Sequence, residues 1–245
     1  MKDGFIKVAA ATPDVRVADC EYNATEIIRM IHEMEEQGAK VMVFPELCIT
    51  AYTCGDLFWQ ENLLEEAKVQ LVRIAEETKE VDALIFGGGY PELYAKQLYE
   101  NQSMRASVWQ ALEAGMPCHA ECGGFLYLGK SLADAEGNVY ELVGFLDGAG
   151  FRTERLQRFG YVELAPQEAD AFAVNTVLRG HEFHYWNSTD CGDACLAWKP
   201  LSKQKTYSCM VKKKGTFAGF PHLYYAGAEN FFYHLFLNST ENENR

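Results

Sequence analysis

Short apolar runs of strand type and longer segments with helical apolar spacing take turns along the first half of the chain, and this alternation restricts the fold more than any other feature. Phe5-Ile-Lys-Val-Ala-Ala-Ala11 and Lys40-Val-Met-Val-Phe44 read as buried strands. Between them Ile27, Ile28, Ile31 and Met34 recur at helical spacing, with Asn23 or Thr25 as the cap and Gly38 as the stop. Leu57 to Glu80 contains a second amphipathic helix, Val81-Asp-Ala-Leu-Ile-Phe86 is a third strand running into Gly87-Gly88-Gly89, and Met104 to Glu113 is helical. Pro117-Cys-His-Ala120 follows as a short strand and Phe125 to Leu132 as the next helix. Strands joined through helices run parallel and need cover on both faces, so the pattern predicts an α/β fold with an open, three-layer, mostly parallel sheet. From about Val139 short strands and turns take over: Glu141 to Phe145, Phe159 to Leu164, His181 to Tyr185, Thr206 to Val211 and Thr216 to Phe220. The C-terminal half is therefore expected to hold mixed strands, closed by a helix at Glu229 to Leu237. No repeat or linker-like tract interrupts the 245 residues, which favours one compact domain.

Charge excludes two classes of partner. Asp and Glu number 35 against 22 Lys and Arg, a formal charge of -13, which repels phosphate backbones and anionic lipid. Neither nucleic acid nor a membrane is an expected partner. The apolar runs fall far short of a membrane span, and the start MKDGFIKV lacks a signal-peptide core, so the expected location is cytoplasmic. There the eight cysteines stay reduced. The pairs Cys118/Cys122, Cys191/Cys195 and His181/His184 lack the C-x-x-C spacing of structural zinc sites, so no metal is expected. Gly87-Gly-Gly precedes Tyr-Pro-Glu, without the spacing or the Lys of a phosphate-binding loop, so no nucleotide cofactor is expected either.

The strongest chemical signal is Ala120-Glu121-Cys122-Gly123-Gly124, between a short strand and a helical segment. A nucleophile in a tight strand-to-helix turn needs small neighbours, exposes its reacting atom and offers the next N–H to a developing oxyanion. Cys122 fits, and a following helix N-terminus would favour its thiolate. A structural cysteine ahead of a glycine-rich helix start is the competing reading. Among six histidines, His32 and His234 sit within amphipathic helices, and His119 lies in a strand that should point it away from the elbow. His181, His184 and His222 remain. His222 is the first choice for the base because it follows a strand and precedes the last helix, which can put it at a strand end near Cys122. The N–H groups of Gly88 and Gly89, with that of Gly123, are candidates for an oxyanion hole at the sheet's carboxyl edge.

Four ordered blocks then carry a family resemblance: Ala83-Leu-Ile-Phe-Gly-Gly-Gly-Tyr-Pro-Glu-Leu93, Ala120-Glu-Cys-Gly-Gly-Phe125, Arg155-Leu-Gln-Arg-Phe-Gly-Tyr-Val-Glu163 and Arg179-Gly-His-Glu-Phe-His-Tyr185. From about Val81 the chain resembles the glutaminase domain of cobyrinic acid a,c-diamide synthase, a class I glutamine amidotransferase with a flavodoxin-like sheet. The resemblance implies hydrolysis of L-glutamine with Cys122 as nucleophile and His222 as base, and ammonia used to amidate cobyrinic acid in cobalamin biosynthesis. ATP and magnesium would belong to a separate synthetase domain, leaving this chain without a cofactor. The family's second His, two residues after the catalytic one, is Tyr224 here, so the group that orients His222 is unassigned. Ahead of Val81, Gly4-Phe-Ile-Lys-Val-Ala-Ala-Ala-Thr-Pro13 and Phe44-Pro-Glu-Leu-Cys-Ile-Thr-Ala-Tyr-Thr-Cys-Gly-Asp-Leu57 resemble the nitrilase-type glutaminase domain of glutamine-dependent NAD synthetase. That implies a chimera-like chain, with residues 1–80 completing the sheet and Glu46 as a relic general base. A folded but inactive binding domain, or a remnant amidase acting through Glu46, are the alternative readings.

Overall fold

In the computed structural model, which describes residues 8–39, 41–45, 47–77, 83–167 and 177–237, strand and helix alternate as the apolar spacing predicts. The chain divides into two compact units, Met1–Val81 and Asp82–Arg245. In the first, β1 (Val8–Ala10) and β2 (Val41–Val43) pair in parallel, separated in sequence by α1 (Cys20–Glu36) and followed by α2 (Glu61–Glu77). The cap of α1 lies earlier than the sequence suggests: the Asp19 carboxylate accepts from the Tyr22 N–H at 3.1 Å. Asn23 is instead fully buried inside the helix, accepting from the Arg16 N–H at 2.7 Å and donating to the Arg16 and Ile49 carbonyls at 2.8 and 2.9 Å. An amide with its bonds made can be buried at little cost. Gly38, at a φ of +80°, ends the helix as expected. Ile27 and Ile31 pack with Cys48, Met42, Phe44 and Ile74.

The second unit opens with β3 (Leu84–Phe86), α3 (Ala95–Glu100) and α4 (Gln102–Glu113), then β4 (Cys118–Glu121) and α5 (Gly123–Leu128). Short strands follow: β5 (Ser131–Ala133), β6 (Val139–Glu141), β7 (Ala149–Arg152), β8 (Arg158–Pro166), β9 (Leu178–His184) and β10 (Trp186–Ser188). The chain then forms β11 (Cys195–Lys199), β12 (Ser202–Cys209), β13 (Val211–Lys213), β14 (Thr216–Gly219), β15 (His222–Leu223) and α6 (Glu229–Leu237). They make three sheets, ordered β13-β14-β4-β3, β12-β11-β8-β9-β15 and β10-β7-β5-β6. The fold is α/β; in this unit β4 pairs in parallel with β3 and β14, and β5 with β7, while the other pairs are antiparallel. One apolar core joins α4 and α5 through Leu112, Phe125 and Leu128, and another joins the five-stranded sheet to α6 through Val162, Phe217 and Phe231.

Two expectations fail for one physical reason. Helix α5 stops at Leu128 rather than Leu132, and Leu142 to Phe145 is not a strand. The N–H groups of Leu142, Val143, Gly144 and Leu146 instead bond the carbonyls of Lys130, Tyr127, Gly129 and Leu128 at 2.8–3.2 Å. An apolar run that looks like a strand is spent on satisfying the carboxyl end of a buried helix.

Candidate active site

The elbow is built on an interior strand of the second unit. β4 lies between β3 and β14, with Phe86 opposite Ala120 on one side and Gly219 opposite Glu121 on the other. All four of its residues are buried. At its end Cys122 takes φ 48° and ψ -104°, a conformation that a residue with a side chain adopts only when its surroundings hold it there. They do so by contact. The Cys122 N–H donates to the Gly219 carbonyl at 2.8 Å and the Gly124 N–H to the Gly87 carbonyl at 3.1 Å. A Cβ on Gly124 would sit 2.5 Å from Phe86 Cβ and 2.6 Å from its carbonyl oxygen, and one on Gly123 2.7 Å from the Gly89 carbonyl oxygen. Gly123 and Gly124 therefore fit only as glycines. Helix α5 is six residues long, so the dipole expected behind the thiol is short.

His222 reaches the elbow through the same ladder. Gly219, the last residue of β14, holds the Cys122 N–H, and three residues later the chain enters β15, where His222 pairs with His181 and Leu223 with Gly180 of β9. Phe220 anchors the crossing: its ring packs against Phe125 of α5 at 5.2 Å and stacks on His184 of β9 at 3.8 Å. The His222 imidazole faces the Cys122 thiol, which is the largest influence raising its pKa. Gly88 leaves room for that ring, since a Cβ there would lie 2.5 Å from His222 Cε1. Among the described residues the N–H groups of Gly88, Gly89 and Gly123 have no hydrogen-bond partner.

Sequence reasoning missed Glu121. Its Oε1 accepts from the Leu223 N–H at 2.8 Å and lies 2.8 Å from His119 Nε2, while Oε2 lies 3.4 Å from His222 Nδ1. Burial opposes its charge, but the hydrogen bonds from His119, His222 and the Leu223 N–H outweigh burial and hold the carboxyl at about 2. The hydrogen bonds to Cys122 and Glu121 raise His222 to about 10, again against burial. Strand alternation was the available signal: His119 and Glu121 sit two residues apart on one face of β4, next to the elbow.

The other candidates stand elsewhere. His32 pairs with Glu35 and Glu77 on the surface of the first unit, and His181 lies between the rings of Phe159 and Tyr161. His184 is buried with Nδ1 on the Trp186 carbonyl, and burial lowers it to about 4. Glu46 lies outside the described residues. Burial pushes Cys118 and Cys195 up to about 12, the behaviour of structural thiols. Among the described residues no group of three His, Cys, Asp or Glu side chains could hold a metal ion, and no helix is long and apolar enough to cross a membrane.

Residues 40–230 match the family described as the CobB/CobQ-like glutamine amidotransferase domain. The chain belongs to that family. The match begins ahead of Val81. The cobyrinate a,c-diamide synthase of Streptococcus sanguinis is 38% identical to this amidotransferase domain over 188 residues, covering 71% of this chain and 41% of the relative. That of Listeria innocua is 40% identical over 156 residues, covering 61% and 34%. The chain thus spans about two fifths of the length of these curated relatives or less. A solved glutamine amidotransferase of Thermotoga maritima aligns with a TM-score of 0.43 at 12% identity, over 98% of this chain and 85% of that one.

Proposed function

We propose that this amidotransferase domain hydrolyses L-glutamine to glutamate and ammonia through Cys122 and His222. The observation that carries the reading is a thiol in a strained elbow beside an imidazole whose proton the thiol and Glu121 together hold up to about 10. The Cys122 sulfur, its proton on His222, attacks the side-chain carbonyl carbon, and the oxyanion is met by the unpaired N–H groups near Gly88, Gly89 and Gly123. Collapse breaks the C–N bond and His222 gives its proton to the leaving ammonia. A water molecule then loses a proton to His222 and cleaves the glutamyl thioester, which returns the thiol. Each proton taken up by the imidazole is given back within the cycle.

The names of the curated relatives support a destination for the ammonia: ATP-dependent amidation of cobyrinate carboxylates on a synthetase partner, which would hold the ATP and magnesium. The eight unbridged cysteines suit work in the cytoplasm. The test is covalent. A glutamine analogue carrying an electrophilic γ-diazoketone is expected to add once per chain, at Cys122, with L-glutamine protecting. Addition spread over several cysteines without protection would overturn the reading.

A further inference from the structure

The histidine in this site needs something to hold it, and the side chain two residues on does not do so: Tyr224 is exposed. The structure places a carboxylate on the other side. We propose that Glu121, the residue immediately ahead of the nucleophile, is the positioning carboxylate of the Cys122–His222 pair, and that His119 behind it keeps this carboxylate compensated while His222 gains and loses its proton. The proposal rests on the Cys122–His222 reading given above.

Geometry carries it. Glu121 is held from two strands at once, by the Leu223 N–H of β15 and by His119 of β4, both on Oε1. Oε2 is left to His222 Nδ1 at 3.4 Å, an ion-pair distance of the kind that shortens when substrate closes a site. The carboxylate therefore fixes the main chain on which His222 stands as well as facing its ring. His119 is wholly buried within reach of the rings of Phe217, Tyr225 and Phe232. Its Nδ1 faces the Phe217 carbonyl at 3.1 Å, which can only accept, so Nδ1 donates. Its Nε2 faces Glu121 Oε1 at 2.8 Å, and that contact needs a proton too. The His119–Glu121 pair thus holds two protons, as imidazolium and carboxylate. Thiolate, imidazolium, carboxylate and imidazolium then alternate in sign from Cys122 to His119. When His222 passes its proton to ammonia, Glu121 still faces a cation instead of becoming an unpaired buried charge, which would be costly.

The groups that face Glu121 are His119 on β4, His222 and the Leu223 N–H on β15, and Tyr225 in the turn beyond. Those that act on His222 are Cys122, Glu121 and, from β9, His184. The test replaces charge while keeping shape. In the full chain Glu121→Gln is expected to lower kcat for glutamine by about 10²-fold with KM within about twofold. It is also expected to move the pH midpoint of Cys122 alkylation by iodoacetamide upward by at least about one unit. Unchanged kcat and an unchanged alkylation profile in a variant that melts cooperatively would overturn the proposal. A rise in KM alone would overturn it too, by making Glu121 a glutamine-binding group. The alkylation profile needs no turnover, so it judges Glu121 even if the parent chain fails to hydrolyse glutamine, a failure that would count against the Cys122–His222 reading instead. If Glu121→Gln does not fold, ¹⁵N-histidine NMR of the parent decides. Protons on both ring nitrogens of His119 and on Nδ1 of His222 at pH 7 are expected, and a bare His222 Nδ1 would overturn the proposal.

Discussion

Two strand ends in this chain lead into tight turns that carry a cysteine, and exposure does not tell them apart. Cys48, beyond β2, is 8% exposed and Cys122, beyond β4, is 9% exposed. Cys48 closes a turn through its N–H to the Pro45 carbonyl at 3.2 Å, packs against Ile27 and Ile31, and burial raises its thiol. Cys122 sits at a positive φ with its thiol on an imidazole that is itself in contact with a carboxylate. A buried thiol becomes chemical through its polar partners and the backbone that aims it, and remains a small apolar group without them.

The difference can be broken most sharply by removing each thiol. Cys122→Ala is expected to lower glutamine hydrolysis on the order of 10³-fold or more, whereas Cys48→Ala leaves kcat within about twofold and lowers unfolding free energy by about 1 kcal/mol, read by glutamate release and by denaturant titration. Glycines sharpen the contrast. Gly124→Ala drives a Cβ into the Phe86 and Gly87 backbone and is expected to cost more than about 3 kcal/mol, while Gly38→Ala meets no atom within 4 Å and costs only the strain of its φ, about 1 kcal/mol. Gly88→Ala meets chiefly the His222 ring, so kcat is expected to fall about tenfold while the melting temperature changes little.

The smallest effect is on the pH dependence of stability. His222 titrates at about 10 in the folded chain against 6.5 for the free group, so its contribution is fully present below pH 6.5 and is lost as pH rises through about 10. Glu121 runs the opposite way, present above pH 4.5 and lost as pH falls through about 2. Removing Cys122, the largest cause of the His222 shift, should flatten the alkaline limb in urea titrations between pH 7 and 10, and Cys48→Ala should leave that limb as it is.

The alternation of apolar runs was enough to find β2, β3, β4, α4, α6 and the α/β class, because those elements bury a face at one clear period. It missed β7, where Ala149-Gly-Phe-Arg152 is too short and glycine-bearing to show a period, and it misread Leu142 to Phe145, whose N–H groups bond the carbonyls at the end of α5 and just beyond it. At the site, Cys122 and His222 were legible from small neighbours and strand-end position. Glu121 was not, although its place on the His119 face of β4 was written in the strand, because its importance depends on the Leu223 N–H, which only the pairing of β15 with β9 brings within reach. Gly88 was legible as a candidate oxyanion donor but not as the floor under an imidazole, for the same reason.

The central claim is that the Cys122–His222 pair cleaves glutamine, and glutamate release from L-glutamine by the purified chain beside its Cys122→Ala variant tests it most directly. The account predicts turnover in the parent that disappears in the variant while both melt cooperatively. Equal rates in the two, or no release from a parent chain that is folded, would contradict it.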